Sequence, residues 1–281
     1  DGVLVARHEN EISGTTDVAD HPEFADRRAT RTIDGEEVTG WFTEDFTLAE
    51  LRTLRVRERL PQVRVANTRF DGLYQVPTLA EVIALVRAKE AETGRRVGLY
   101  PELKHSHYFA SIGHDTAATL VAQLHAAGYR SADDPVFIQS FELETLPRLN
   151  GMTELRLVQL VSAQGGPVDR RDWTYADMLT TQGLADIAAY ADGIGAEPSL
   201  LLQADGSPTG LVEQAHTAGL LVHGWTLRRE NMFLPPALRS AGPPTEPGDL
   251  AGLWQMLHAA RVDGVFTDHP REIVRARSQL R

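Results

Sequence analysis

Val97-Gly98-Leu99-Tyr100-Pro101-Glu102-Leu103-Lys104 decides the fold. It opens as a short apolar run, the signature of a buried strand, and closes on Glu102 and Lys104, two positions apart and so on one face of an extended chain. Upstream, Pro77-Thr78-Leu79 starts a helix whose apolar residues Leu79, Val82, Ile83 and Val86 recur at i, i+3, i+4 and i+7, with Gly94 as its stop. Downstream the alternation continues. Helices are expected over 116–127, 142–149, 175–190, 211–218, 250–260 and 273–280, and strands over 136–141, 155–161, within 193–202, and over 221–227 and 262–267.

With 97–100, that makes six strands, each followed by a helix, which predicts a parallel sheet covered by helices. A doubly wound sheet commonly carries a glycine-rich phosphate turn after its first strand, and no G-x-G-x-x-G or Walker pattern is present. Polar residues instead sit at several strand ends: Glu102 and Lys104, Gln139, Glu197, Trp225 and Thr226, Asp268. That is where a (β/α)8 barrel builds its site, so a TIM barrel is expected, although it needs eight strands. Residues 9–76 read as polar and loop-like, with one helical piece at 48–57. Residues 229–248, with Pro235-Pro236 and Pro243-Pro244, read as a loop over a strand end. The expectation is one domain over 1–281 with these two insertions.

Composition narrows the chemistry. The 281 residues contain no Cys, which removes thiol nucleophiles and thiolate metal sites. A net charge of −11 argues against broad binding to a nucleic-acid backbone. No apolar run reaches the roughly 20 residues of a membrane helix, so no membrane span is expected.

Two segments carry candidate chemistry. Asp1-Gly2-Val3-Leu4-Val5-Ala6-Arg7-His8-Glu9-Asn10 is a glycine turn, a short strand and a His beside an acid; its plain alternative is a hairpin arm with a surface His. Glu102 and Lys104 form either an ion pair at a strand mouth or a carboxylate for a divalent cation beside a cation for an anionic oxygen.

These segments, in order with Thr15-Thr16-Asp17, the stretch Trp41-Phe42-Thr43-Glu44-Asp45-Phe46-Thr47-Leu48, Gln139-Ser140-Phe141, Trp225-Thr226 and Asp263-Gly264-Val265-Phe266-Thr267-Asp268-His269-Pro270, resemble the glycerophosphodiester phosphodiesterase family, in particular its larger bacterial members. Glu9 stands where the family often has Asp. The resemblance implies an α/β TIM (β/α)8 barrel of the phosphatidylinositol-phosphodiesterase-like type. It also implies hydrolysis of a small glycerophosphodiester to sn-glycerol 3-phosphate and an alcohol, with a lysophospholipase-D-like phosphodiesterase or a catalytically silent binding chain as alternatives. The implied roles are His8 in acid–base catalysis, Glu102 on a Ca²⁺ or Mg²⁺ ion, and Lys104 on a phosphate oxygen. Gln139 would orient the substrate and Trp225 would form an apolar wall. His105, His107 and Tyr108 are possible pocket residues, and His223 a weaker one. The family's His-Arg-Gly and Glu-x-Asp motifs would fall upstream of Asp1, so the resemblance and the strand count together predict an N-terminally shortened chain lacking the first barrel strands.

Overall fold

The computed structural model describes residues 1–279, so Leu280, the last position of the helix expected over 273–280, lies outside the described residues. The chain forms two compact units, one of residues 1–99 and 103–136, the other of residues 100–102 and 137 onward.

In the first unit, residues 9–76 are more than loop. Strands β1 (Ala29–Ile33) and β2 (Glu36–Gly40) form an antiparallel hairpin, turning at Asp34-Gly35 with φ of 53° and 92°. Those are the left-handed angles that Asp tolerates and Gly adopts freely, and they suit a two-residue hairpin turn. Ile12, Val18, Phe24, Phe46, Leu51 and Leu54 pack into a buried cluster of their own. These apolar residues are scattered among polar ones at no regular period, which is why the segment reads as loop. The helix expected over 48–57 is a single turn, Leu48–Leu51, held by a Thr47–Glu50 capping box. The Arg55 amide is then drawn to the Asp17 carboxylate at 2.7 Å, which takes the chain out of the helix.

The helix Leu79–Thr93 starts on a second capping box, Thr78 with Glu81, and ends at Gly94 with φ of 65°. Each such cap is worth about 1 kcal/mol. The expected strand over 97–100 shrinks to a bridge between Leu99 and Val136, with the Leu99 amide donating to the Pro135 carbonyl at 2.8 Å. Pro135 and Pro101 have no amide hydrogen to give a ladder, so the pairing is broken into isolated bridges rather than a continuous strand.

The second unit contains five parallel strands, β3 (Phe137–Ser140), β4 (Arg156–Val161), β5 (Gly193–Ala196), β6 (Leu221–Leu227) and β7 (Gly264–Thr267), hydrogen-bonded in chain order. Each strand lies beside its predecessor, with helical segments in every crossover. Winding that never reverses belongs to a TIM-like α/β fold, whereas a doubly wound sheet reverses at its switch point. The helix expected over 175–190 is two, Tyr175–Met178 and Thr181–Ala188, because the Thr180 side chain caps a fresh start by accepting from the Gly183 amide. The helix expected from 142 begins at Thr145, because the Leu143 and Glu144 amides are taken by the Asp169 carboxylate at 2.9 and 2.7 Å. Residues 229–248 contain two short 3-10 turns around buried Asn231, whose side-chain nitrogen donates to Ser240 Oγ at 2.9 Å. Among the described residues no helix is long and apolar enough to cross a membrane.

Candidate active site

The first unit gathers an ionic cluster around Glu9. Lys104 Nζ donates to Glu9 Oε1 at 2.6 Å, and His105 Nε2 meets Glu9 Oε2 at 3.1 Å. His8 Nδ1 lies 2.7 Å from Glu9 Oε1 and 3.3 Å from Lys104 Nζ. The shorter contact suits the tautomer in which Nδ1–H donates to the carboxylate, with the lone pair on Nε2 of the half-exposed ring. Burial alone would raise the pKa of Glu9, but bonds from His105, His8 and Lys104 outweigh it and hold the carboxyl far below the usual range. Glu9 is an anion throughout the physiological range.

His105 is the member the sequence undervalued, for a His in a loop ordinarily sits in solvent. Its side chain is only 12 % exposed, and its other ring nitrogen, Nδ1, contacts Asp34 Oδ2 at 2.6 Å. Burial pushes its pKa down, but the bonds to Asp34 and Glu9 win and lift it to about 9. His105 is therefore an imidazolium at neutral pH that donates from both nitrogens. The only sequence signal that could have found it is its place directly after Lys104.

A second network seats the segment after Glu9. Buried Asn10 donates to Glu44 Oε1 at 3.0 Å, and the same oxygen accepts from Tyr108 Oη at 2.6 Å. Arg31 donates to Tyr108 Oη at 2.9 Å and also pairs with Asp45. Tyr108 is thus a strut for Glu44. Burial, reinforced by the Glu44 bond, pushes its hydroxyl up to about 12, so it stays protonated.

In the second unit, the registers Phe137↔Arg156, Gly195↔His223 and His223↔Gly264 put Phe137, Gln139, Arg156, Gly195, His223 and Trp225 on one face of the sheet. The bridge Glu102↔Gln139 adds exposed Glu102 to that face, one residue past Pro101, whose carbonyl accepts the Gln139 amide at 3.0 Å. Gln139 is buried with its side-chain oxygen unmatched, and the Trp225 indole N–H is buried and unmatched as well. Trp225 stands edge-on to Phe141, centroids 5.4 Å apart, over Gly195, where a Cβ would come within 3.4 Å of the indole and 2.5 Å of Leu160. Two apolar rings and two buried, unmatched polar groups thus share this face of the sheet. Glu197, at the end of β5, is occupied by Ser162 and the Ala163 amide. Thr267 and Asp268 close the turn after β7, through Thr267 Oγ1 to the Leu227 carbonyl at 2.9 Å and Asp268 to Arg228 at 2.9 Å. Deeper on the same face, Tyr100 Oη donates to His223 Nδ1 at 2.6 Å, and burial lowers the pKa of His223 and raises that of Tyr100. His223 belongs to this packed interior.

A resident divalent cation does not fit the described residues as a self-sufficient site. Among them, no three His, Asp or Glu side chains converge as a metal-binding set. One exposed carboxylate, that of Glu102, falls far short of the six to eight oxygens a Ca²⁺ ion takes.

Comparison with known proteins bears on the whole chain. The family model described as glycerophosphoryl diester phosphodiesterase family matches residues 1–272. The glycerophosphodiester phosphodiesterase GDPD6 of Arabidopsis thaliana is 32% identical over 284 residues, 95% of this chain and 73% of the relative. A glycerophosphodiester phosphodiesterase of Haemophilus influenzae is 27% identical over 96% of this chain and 77% of its own length. Among solved structures, a chain from Silicibacter pomeroyi superposes with a TM-score of 0.63 at 20% identity, covering 100% of this chain and 80% of that one. A glycerophosphodiester phosphodiesterase from Parabacteroides distasonis gives 0.55 at 15% identity, with 100% and 81% covered. At such identities the structural likeness speaks for the fold alone, in agreement with the TIM-like strand order.

Proposed function

Because the chain belongs to the glycerophosphoryl diester phosphodiesterase family, and so to the hydrolases that cleave glycerophosphodiesters, we propose that it releases sn-glycerol 3-phosphate and an alcohol with His8 as its acid–base residue. The observation that carries this reading is the 2.7 Å contact of His8 Nδ1 with Glu9 Oε1, which leaves Nε2 of the half-exposed ring as the acceptor. A carboxylate-oriented imidazole with a free Nε2 can take the proton of an attacking nucleophile. As the new P–O bond to the water oxygen forms and the bond to the alcohol oxygen breaks, the proton that His8 took from the water passes to the leaving alkoxide. His105, held charged by two carboxylates, acts as a fixed cation that keeps Glu9 ionised. Lys104 spends one N–H on Glu9 and has two more for a phosphate oxygen.

A Ca²⁺ or Mg²⁺ ion is proposed for Glu102 only as a weakly held ion. The decisive assay follows glycerol 3-phosphate release from glycerophosphocholine, with Ca²⁺, with Mg²⁺ and with chelator, for the wild type and His8→Ala. Release that persists undiminished in the variant would sink the assignment of His8. A second reading, binding of glycerophosphodiesters without turnover, is favoured by the lack of a converging metal set among the described residues. Binding in calorimetry with no product in the assay would select it.

A further inference from the structure

We infer that the loop 57–74 of the first unit docks on an anionic lipid surface. The loop is built, not loose. Glu58 Oε1 accepts the Leu60 amide at 2.8 Å, Glu58 Oε2 accepts from Asn67 at 2.8 Å, and Asp71 Oδ1 accepts the Glu58 amide at 2.7 Å. Its base is stapled by the Val56 amide on the Tyr74 carbonyl at 2.8 Å and the Gly72 amide on the Val56 carbonyl at 3.0 Å. With its shape fixed this way, the loop still turns large apolar side chains to solvent: Val65 is 68 % exposed, Leu73 63 %, Tyr74 58 % and Phe70 40 %. Phe70 and Tyr74 lie ring to ring at 6.4 Å, and Leu73 follows in the same turn. A folded loop gains nothing from such exposure unless something covers it.

Charge identifies the cover. Residues 57–74 carry four Arg against Glu58 and Asp71, within a chain of net charge −11. Both acids are turned inward onto the loop's own backbone and Asn67, while Arg59 and Arg69 are exposed, Arg57 is exposed but paired with Asp20, and Arg69 lies over the Phe70 ring at 4.6 Å. Aromatic and aliphatic side chains ringed by guanidinium groups match the boundary between acyl chains and anionic headgroups. An acidic protein would meet the arginines but gives no reason for Val65 and Leu73. The loop also leaves the body of the unit at the bridge Thr16↔Val56, so it shares its base with the segment that follows His8.

The test is sedimentation of the full chain with vesicles of phosphatidylglycerol mixed with phosphatidylcholine, against pure phosphatidylcholine. The wild type should pellet with the anionic vesicles at low salt and be released as salt rises. Arg59→Glu with Arg69→Glu, and separately Val65→Asp with Leu73→Asp, should each weaken binding by about tenfold or more. These positions are exposed, so thermal midpoints should match the wild type. A Leu73→Trp reporter should shift its emission to the blue only with anionic vesicles. Equal binding to neutral vesicles, or retained binding in either double variant, overturns the inference. A lipid-independent dimer abolished by Val65→Asp with Leu73→Asp also overturns it, by assigning the patch to a second copy. The readout is binding, so it stands apart from the hydrolysis assay.

Discussion

His105 Nδ1 donates to Asp34 Oδ2 across 2.6 Å, and both residues hold left-handed backbone angles, φ of 55° and 53°. Neither is a glycine, so each conformation costs free energy that the surrounding bonds must offset. The pair ties the β1–β2 turn to the residue after Lys104, and it sets the charge state of the cluster around Glu9.

That charge state makes stability depend on pH. The pKa of His105 rises from 6.5 to about 9 on folding, so its contribution is fully present below about pH 6.5 and is lost as pH climbs through 9. Denaturant unfolding at pH 6 and at pH 9.5 should show the wild type exceeding His105→Gln by roughly 2–3 kcal/mol at the lower pH and little at the higher. A gap independent of pH would mean that His105 is neutral in the fold.

His223 works in the opposite direction. Burial lowers its pKa, and Tyr100 donates to its Nδ1. The folded state therefore resists protonation: stability is complete above the unfolded value near 6.5 and falls as pH drops below it toward the folded value. Imidazole proton shifts in NMR should show His223 still neutral at a pH where exposed histidines are charged. Titration of His223 at an ordinary pKa would contradict the buried Tyr100–His223 pair.

Removing the proposed acid–base group should be expensive. His8→Ala should lower kcat by at least about 10²-fold, whereas Glu9→Gln should cost less and shift the acid limb of the pH–rate profile, because the carboxylate only orients the ring. Equal losses in both would make Glu9 more than a positioning residue.

Gly195 guards the Trp225 wall. A Cβ there would lie 2.5 Å from Leu160 Cδ2 and in van der Waals contact, 3.4 Å, with the indole, so Gly195→Ala should push Leu160 aside and press on the indole, at a stability cost of about 1–3 kcal/mol. If Trp225 contacts substrate, KM should rise more than kcat falls. An unchanged KM would place the indole outside the binding surface.

Titration with Ca²⁺ checks the cation at Glu102. A single carboxylate predicts weak, unsaturated binding that Glu102→Gln abolishes. Tight binding that survives the substitution would require a ligand set elsewhere in the chain.

The sequence by itself determined the βα rhythm from residue 77 onward, the helix limits set by Thr78 and Gly94, and the motif order that marks the family. These are local signals: a cap reaches three residues, and a periodic face repeats every three or four. Its errors at 97–100, 142–144 and 175–190 were also local, where two prolines, the Asp169 carboxylate and the Thr180 cap each outcompeted the periodic pattern. Only the tertiary structure decided the rest. Asp34 and His105 are 71 residues apart, and Tyr100 and His223 are 123 apart. No spacing rule links such pairs, yet their proximity fixes which imidazole is charged and which is neutral. The packed cluster within 9–76 was hidden for the same reason, because its apolar residues become neighbours only once the chain has folded over them.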